Sequence, residues 1–396
     1  MRFISVLWFM CDGKREPRIM ITPSVAFALR FGNEDGFVQQ FFAKQRDLVA
    51  RELRGAARCL LVFKKLGNKP VYSPRWAAEA QTDFYDFSSE NKERIKGFLQ
   101  ANRIAVVIFQ SANLGEIDLK FLHSLGVRTI STEDNSFDDT QTQSFILAAA
   151  KFVLRKILKL KIHDLHIANT RGQYDFLRTY VYLPTQRLRI VPYGIDTEYY
   201  SPSDRRAACS QLGLDAETIW IMAASQSRPE KRVDLLINAV KRVKEARPLT
   251  RIGFFYVGDG WMLAQWKELA QSLLSAADCR FFGKQTDLRS FYQAASIFIH
   301  GAYKESFGLV LAEAMASGLP VVATKAHGPV EIIQDGTTGY LIERDDWDGF
   351  VSAILCYIDQ PPLREGHGDA GRRRCVERYS CDREATELAN LIRPFL

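Results

Sequence analysis

The chain contains 396 residues, of which 47% are hydrophobic and 25% charged, with a formal net charge of +7 at pH 7. This composition is typical of a soluble globular protein, and the length exceeds one ordinary core, so we predict two domains of about 200 residues each. No apolar run approaches the roughly 18 residues that span a bilayer, which excludes a membrane-spanning helix.

The beginning of the chain, MRFISVLWFM, has one basic residue and a short apolar core. The residues CDGKRE follow, where a signal peptide would have small residues at its cleavage site, so a buried strand is the preferred prediction. The seven cysteines of the chain are scattered and include no CxxC pair. They predict reduced thiols in a cytoplasmic protein and no zinc site.

The first half alternates short apolar runs with longer amphipathic segments, a pattern typical of parallel sheets covered by helices. Helices are predicted between the strands, for example at Gly36–Leu53 and Asn91–Gln100. Strands are predicted at Ile19–Thr22, Cys59–Phe63, Ile104–Phe109, Thr129–Ser131 and His166–Asn169.

Much of the positive charge lies in residues 146–162, where lysines and arginines alternate with apolar residues. One interpretation is a helix on an anionic bilayer, which would make this segment a peripheral membrane contact. The other, which we prefer, is an ordinary surface helix whose lysine stems cover apolar surface. Nucleic-acid binding is not predicted, because the basic residues are not interleaved with aromatic ones in any recognised module.

The turn-rich segment VPYGIDTEYYSPSD links the two halves, and the alternation of apolar and amphipathic segments then repeats. In the basic triplet Arg372–Arg374, near the end of the chain, the pattern predicts a solvated helix face. Strands of the second half are predicted at Trp220–Ala223, Gly253–Val257, Arg280–Phe282, Ile297–His300 and Pro320–Ala323.

Two carboxylates, Glu305 and Glu313, lie eight positions apart around a predicted helix N-terminus in ESFGLVLAEAMASGLP. At 100° per residue, the second returns to within about 80° of the first, roughly 12 Å further along the axis. Both could then line one elongated polar ligand. The alternative is an amphipathic helix with two solvated glutamates.

Between these carboxylates, Phe307, Gly308 and Leu309 are predicted to form the first helical turn. The N–H groups of a first turn have no intrahelical partner, and the helix dipole there favours an anion. Gly308 has no Cβ, so a diphosphate could approach the backbone closely. The pattern predicts a phosphate site.

The spacing of Glu, seven residues and Glu resembles the signature of retaining glycosyltransferase family 4, the glycosyl transferases group 1, which has the GT-B fold. The resemblance covers nearly all of the second half. Tyr193 stands where that family usually has an asparagine. The other matching segments, in order, are VPYGIDTEYYSP, SRPEKRVDLLINAV, FYVGDGWMLAQWKELA and RFFGKQTDLRSFYQAASIFIHGAYKESFG.

The resemblance implies an α/β protein with two Rossmann-like, doubly wound parallel-sheet domains that face a central cleft. Residues 1–198 would bind the acceptor and residues 199–379 the nucleotide-sugar donor. The C-terminal helix, residues 380–396, would pack back on the first domain.

The resemblance places Lys231 at the position of a lysine that binds the donor diphosphate. The usual arginine position holds Gln226, and Arg228, two residues away, could serve instead. A fixed cation is useful there because the departing diphosphate gains negative charge. The alternative for Lys231 and Arg228 is a solvated basic turn.

By the same resemblance, Glu305 would contact the hydroxyls of the donor sugar and Glu313 those of the ribose, a role suited to carboxylates, which only accept hydrogen bonds. Gly328 and Glu331 in HGPVEII resemble a GGxxE turn beside the donor sugar. His327 replaces the first glycine there, and we expect it to fill the turn. The remaining implied donor contacts are Gly258, Gly260, Ser306, Phe307, Gly308 and Leu309.

The first half matches less well. The best candidate for a glycine-rich loop that faces the donor phosphate and the acceptor is FGNEDGFVQQFF, with Gly32 and Gly36, and a loop through Gly13 is the competing alignment. The family tends to carry a histidine near the transferring sugar, but RTISTEDNSFDD offers only Glu133 and Asp134. Asp134 is our candidate catalytic residue in this half.

His123 is another histidine of the first half, and it lies upstream in the apolar segment LKFLHSLG. We interpret it as structural, so it does not replace the missing histidine of the family.

The implied activity is transfer, with retention, of a hexose or N-acetylhexosamine from a nucleoside diphosphate, with UDP or GDP expected, to a hydroxyl of a saccharide or lipid-linked acceptor. No metal or other cofactor is expected. Polysaccharide or glycolipid synthesis, in the cytoplasm or on the inner face of the cytoplasmic membrane, would be the setting. Two alternatives stay open: a sugar-nucleotide epimerase on the same fold, and an inactive nucleotide-sugar-binding regulator or partner.

Overall fold

The structure, a computed structural model, describes residues 22–29, 36–54, 56–63, 92–110, 117–133, 153 and 162–396. Within these ranges, the strands form two six-stranded sheets. The first contains β1 (Ser24–Leu29), β2 (Arg58–Phe63), β3 (Ile104–Gln110), β4 (Arg128–Glu133), β5 (Leu165–Ala168) and β6 (Leu188–Ile190). The second contains β7 (Ile219–Ala224), β8 (Ile252–Val257), β9 (Cys279–Phe281), β10 (Ile297–His300), β11 (Val321–Thr324) and β12 (Gly339–Ile342).

The strand order is β2-β1-β3-β4-β5-β6 in the first sheet and β12-β11-β10-β7-β8-β9 in the second. The strand pairs whose register is defined are parallel. Each order runs outward from a central strand, returns to its other side and continues, as in doubly wound sheets.

Helices connect the strands, as parallel pairing requires. The helices of the first sheet are α1 (Gly36–Glu52), α2 (Lys92–Ala101), α3 (Leu119–Ser124) and α4 (Arg171–Thr179). Those that follow are α5 (Arg205–Leu212), α6 (Val233–Ala246), α7 (Leu263–Leu273), α8 (Arg289–Ala294), α9 (Leu309–Ala316), α10 (His327–Ile332), α11 (Trp347–Asp359), α12 (Pro361–Arg378) and α13 (Cys381–Ile392).

The chain divides into two compact units. The first comprises Met1–Ser131, Lys161–Asp164 and Thr386–Leu396, and the second Thr132–Leu160 and Leu165–Ala385. The predicted domain boundary between residues 198 and 199 stays a prediction.

The second unit has a continuous apolar core around its sheet. Every residue of β8 is buried, as expected for a strand that is covered on both faces. On α6, the buried Val233, Leu236, Val240 and Val243 recur every three or four residues, so one helix face packs on the sheet.

The predicted strand at Ile19–Thr22 is wrong where the structure describes it. Thr22 lies outside any strand, and β1 begins at Ser24. Pro23 has no N–H group for the ladder, and the buried run that follows it supplies the strand. The predictions at His166–Asn169 and Arg280–Phe282 begin one residue late, and the prediction at Pro320–Ala323 begins one residue early, a difference typical of element ends. The strands β6 and β12 were not predicted.

The predicted solvated face at Arg372–Arg374 is also wrong, except for its middle residue. Arg372 donates to three backbone carbonyls and Arg374 to two, whereas Arg373 is exposed. Two of the three guanidinium groups therefore serve the internal structure of the second unit.

Several predictions fall on residues outside the described ranges: the strand in MRFISVLWFM, the loop through Gly13, Gly32, Asp134 and nearly all of residues 146–162. In the part of the chain that is described, none of the helices combines the length and apolar character that crossing a membrane requires. Six cysteines are described, and all have free thiols.

Candidate functional site

The second sheet reverses its strand order between β7 and β10, which pair side by side although two strands separate them in sequence. At such a reversal, the loops that leave the carboxyl ends of the strands form a crevice where ligands bind. The loop after β7 carries Lys231, and the loop after β10 carries Glu305. The fold therefore brings together two predicted site residues that are 74 positions apart.

Lys231 and Glu305 form a direct ion pair. Lys231 Nζ donates to Glu305 Oε2 over 2.8 Å, and the two side chains are 18% and 15% exposed. His300, the last residue of β10, places its Nε2 3.3 Å from the same oxygen, without hydrogen-bond geometry. A cation, a carboxylate and an imidazole thus share one partly enclosed position.

The pKa of Glu305 results from opposing effects. Burial favours the neutral carboxyl group, but the charge of Lys231, aided by His300, outweighs it and lowers the pKa to about 2. Burial also lowers the pKa of His300, against the raising effect of Glu305. At neutral pH, Glu305 is therefore a carboxylate and His300 a neutral imidazole.

The backbone around Lys231 is held from two sides. Arg232, the next residue, has a left-handed φ of 48°, which costs a residue with a Cβ roughly 1–2 kcal/mol. Its side chain contacts Asp234 and Asp345, and Asp345 is itself left-handed with a φ of 63°. On the other side, a Cβ on Gly301 would lie 2.9 Å from the Arg232 carbonyl oxygen. These contacts fix the position from which Lys231 reaches Glu305.

The glycines of the 258–260 turn allow the loop after β8 to pack on the loop after β7. A Cβ on Gly258, with a φ of 154°, would lie 1.9 Å from the Ser225 carbonyl oxygen. One on Gly260, with a φ of 146°, would lie 2.7 Å from that of Ser227. The hydroxyl of Tyr256 lies within 3.1 Å of both serine hydroxyls. Loop packing explains both glycines, and their contact with a nucleoside stays a prediction.

Gln226 and Arg228, the two candidates for the second diphosphate contact, are both exposed in the loop after β7. The guanidinium of Arg228 lies over the ring of Trp261, 5.5 Å from its centroid, and Trp261 is 70% exposed. The role of either residue at a diphosphate stays a prediction.

Helix α9 begins at Leu309, and Gly308 is its left-handed N-cap with a φ of 97°. The prediction that Phe307 and Gly308 belong to the first turn is therefore wrong, because a left-handed residue cannot continue a right-handed helix. Among residues 162–396, the N–H groups of Leu309 and Val310 have no hydrogen-bond acceptor. Anion binding at this helix end stays a prediction.

Glu313 lies inside α9 and is 2% exposed. Tyr292 Oη donates to Glu313 Oε2 over 2.8 Å, and the Tyr200 hydroxyl also acts on the pKa of this carboxyl group. Burial raises the pKa of Glu313 to about 7, against the lowering effect of the two tyrosines. The predicted 80° relation to Glu305 is wrong, because Glu305 precedes the helix. The ribose contact of Glu313 stays a prediction.

The loop with Glu305 packs directly on α10. The N–H of Gly328 donates to the Glu305 carbonyl over 2.9 Å. A Cβ on Gly328 would lie 2.0 Å from the Phe307 carbonyl oxygen, so only glycine fits. The predicted turn at HGPV is wrong in form, since His327 is the first residue of a short helix.

The Glu331 carboxylate contacts the beginning of α4. It accepts a hydrogen bond from the Gly172 N–H over 3.0 Å. Burial raises the pKa of Glu331, against the lowering effect of this backbone donor. The structure shows Glu331 as a cap of α4, and its contact with a donor sugar stays a prediction.

The site candidates of the first half stay predictions. Gly36 is the first residue of α1, in the first unit, and Glu133 is the last of β4. His123, interpreted as structural, lies 3.1 Å from Thr129 Oγ1 and 3.2 Å from Asp164 Oδ2. Within the described ranges, no group of three or more His, Cys, Asp or Glu side chains could hold a metal ion.

Sequence reasoning missed two groups of residues. His300 ends an apolar strand as its one polar residue, a signal that could have marked it beside Glu305. Tyr292 and Tyr200 lie 21 and 113 positions before Glu313, and no sequence signal pairs them with it. They follow only from the packing of α8 and the linker against α9.

Comparisons with known proteins agree with this geometry. Residues 204–374 match the family described as glycosyl transferases group 1, which confirms the predicted resemblance. Among curated proteins, a D-inositol 3-phosphate glycosyltransferase of Streptomyces avermitilis is 29% identical over 238 residues, 58% of this chain and 51% of that protein. The chain thus spans about half the length of the curated relatives that it matches.

Two solved structures resemble nearly the whole chain. HepE of Anabaena in complex with UDP has a TM-score of 0.74 at 16% identity, over 93% of this chain and 99% of that one. A glycosyltransferase from Rickettsia africae has a TM-score of 0.74 at 15% identity, over 95% and 99%. These likenesses confirm the predicted GT-B fold of two doubly wound parallel sheets.

Proposed function

We propose that this chain, whose residues 204–374 match the glycosyl transferases group 1, is a retaining glycosyltransferase of family 4. It transfers a hexose or N-acetylhexosamine from a UDP- or GDP-sugar to a hydroxyl of a saccharide or lipid-linked acceptor, and releases UDP or GDP. We place it in polysaccharide or glycolipid synthesis, in the cytoplasm or on the inner face of the cytoplasmic membrane. The observation that carries the proposal is the Lys231–Glu305 ion pair at the reversal point of the second sheet.

The site has groups that can bind both the phosphates and the sugar hydroxyls of a nucleotide sugar. Phosphate oxygens need a cation or N–H donors, and the Lys231 ammonium and the N–H groups at the start of α9 supply both. Sugar hydroxyls need acceptors, and the Glu305 carboxylate supplies them at any physiological pH because its pKa is about 2. HepE, which has the same fold, was solved with UDP and with UDP-glucose, which supports this class of donor.

In the proposed reaction, the bond between the anomeric carbon and the diphosphate oxygen breaks, and the acceptor oxygen bonds to that carbon on the same face. The acceptor proton passes to the departing phosphate oxygen, so no protein base is required. Glu305, with its low pKa, is too weak a base for that role, which is consistent with this route. Lys231 stabilises the growing charge of the leaving diphosphate, and no metal is proposed.

The test is donor release by the purified full chain. UDP-, GDP- and ADP-sugars are supplied one at a time to the wild type, Lys231→Ala and Glu305→Ala. The matched control is Lys241→Ala with Glu245→Ala, an exposed lysine–glutamate pair on α6 with a 3.0 Å separation. We expect slow hydrolysis of one donor by the wild type and the control, and a loss of about 100-fold or more in both site variants.

Tight donor binding by calorimetry without turnover, even when lipid extracts are supplied as acceptor, would contradict the proposal and favour a nucleotide-sugar-binding protein. Equal hydrolysis by the wild type and both site variants would place the activity elsewhere in the chain.

A further inference from the structure

Helix α10 is short, and its carboxyl end is held by side chains from the end of α12. A six-residue helix leaves its last carbonyls without intrahelical donors. Arg374 supplies two donors: Nη2 lies 2.7 Å from the Glu331 carbonyl oxygen, and Nε lies 2.7 Å from that of Ile332. The hydroxyl of Tyr379 donates to the same Glu331 carbonyl over 2.9 Å.

The opposite end of α10 holds the loop that carries Glu305. There, the Gly328 N–H donates to the Glu305 carbonyl, and the Gly328 backbone lies against Phe307 without room for a Cβ. The ring of Tyr379 also packs on that of Phe307, with 5.9 Å between centroids and a nearly perpendicular arrangement. The group of Arg374 and Tyr379 therefore reaches the Glu305 loop through α10 and through Phe307.

We propose that Arg374 and Tyr379 are positioning residues, which hold α10 and Phe307 in place and thereby set the position of the Glu305 carboxylate opposite Lys231. Neither residue is proposed to touch the ligand. The consequence for turnover rests on the proposed function, whereas the effect on the loop does not.

The chemistry of arginine suits this role. Its planar guanidinium can donate from two nitrogens to two successive carbonyls, which a lysine ammonium cannot do with the same fixed geometry. A cation at the carboxyl end of a helix is also favoured by the helix dipole. The neighbouring Arg373 has the same charge and the same helix but is exposed, so it is a matched control within the triplet.

The first test is amide hydrogen exchange on the full chain, read by mass spectrometry on peptides that cover residues 326–333. In Arg374→Gln we expect exchange to become about tenfold faster there, because the lost hydrogen bonds release the helix end. Tyr379→Phe should show a smaller increase of the same peptides. Arg373→Gln should match the wild type, and equal exchange in all variants would overturn the proposal.

The second test separates positioning from stability by kinetics with the donor that the wild type turns over. A displaced Glu305 should lower kcat by roughly 100-fold, since misplacement of about 1 Å has that effect. Binding of UDP or GDP without a sugar should fall much less than kcat, because Arg374 hydrogen-bonds α10 and not Lys231, the proposed cation for the diphosphate. Arg374→Lys, which retains the charge, should recover part of kcat.

The two tests fail separately. If Arg374→Gln lost UDP binding and kcat in parallel, a general structural role would replace the positioning role. If the wild type turned over no donor, the proposed function would fail, while hydrogen exchange would still decide whether Arg374 holds α10.

Discussion

Glu305 and Glu313 lie at the two ends of one segment, and the pKa values of their carboxyl groups are shifted in opposite directions. Glu305, in the loop before α9, faces an ammonium group, and its pKa falls to about 2. Glu313, inside α9, faces the hydroxyls of Tyr292 and Tyr200, and its pKa rises to about 7. Burial disfavours charge at both positions, so the difference comes from the partner: a cation outweighs desolvation, and neutral donors do not.

The largest expected effect comes from removing the cation of the first glutamate. Lys231→Met should leave Glu305 partly buried without its partner, raise the pKa of Glu305 and destabilise the fold by about 3 kcal/mol at pH 7. Urea unfolding measures the stability, and carbon-13 NMR of the Glu305 carboxyl group measures the pKa. If the carboxyl group still titrated near pH 2 in the variant, the assignment of its low pKa to Lys231 would be wrong.

The second effect concerns Glu313, whose pKa is raised in the folded state. A raised carboxyl pKa means that the folded state binds more protons than the unfolded state between pH 4.5 and about 7, so stability falls as pH rises through this interval. Glu313→Gln should remove this fall and gain up to about 3 kcal/mol relative to the wild type at pH 8, with little gain at pH 4.5.

Urea unfolding between pH 4.5 and 8 measures this difference. Glu268→Gln, at an exposed position on α7, is the control and should follow the wild-type pH profile. Parallel profiles for the wild type and Glu313→Gln would mean that Glu313 stays charged in the folded protein.

The smallest effect should come from Tyr292→Phe, which removes the hydroxyl that donates to Glu313. We expect a loss of about 1 kcal/mol at pH 5 and more at pH 8, because a hydrogen bond to an ionised carboxylate is stronger than one to a neutral carboxyl group. Thermal or chemical unfolding at both pH values measures the effect. A greater loss at pH 5 than at pH 8 would contradict this account.

Sequence patterns predicted five of the six strands of the second sheet to within one residue at each end, because buried parallel strands are short, continuous apolar runs such as the one in β8. The sixth strand, β12, was not predicted. The sequence predicted Lys231 and Glu305 as separate site residues and did not predict their ion pair. Their contact spans 74 positions and depends on the reversal of strand order, which local patterns do not encode.

The prediction of a solvated helix face at Arg372–Arg374 was wrong because it considered only the charges. Three adjacent like charges suggest a solvated face. The side chains of Arg372 and Arg374 instead donate hydrogen bonds to backbone carbonyls at the ends of other helices and in the linker. The carbonyls at the ends of α9 and α10 have no intrahelical donors. Which side chains reach them depends on the tertiary structure, so the sequence pattern does not show it.

The contact between Lys231 and Glu305 also bears on which ligands the site should bind only weakly. A simple phosphate or sulfate ion that captured the ammonium would leave the carboxylate without its cation, and breaking one side of such a pair costs about 3–5 kcal/mol when it is buried. A ligand with hydroxyls next to its phosphates satisfies both groups at once. We therefore expect the ion pair to disfavour simple anions, so that inorganic phosphate at millimolar concentration competes only weakly in a donor-binding titration.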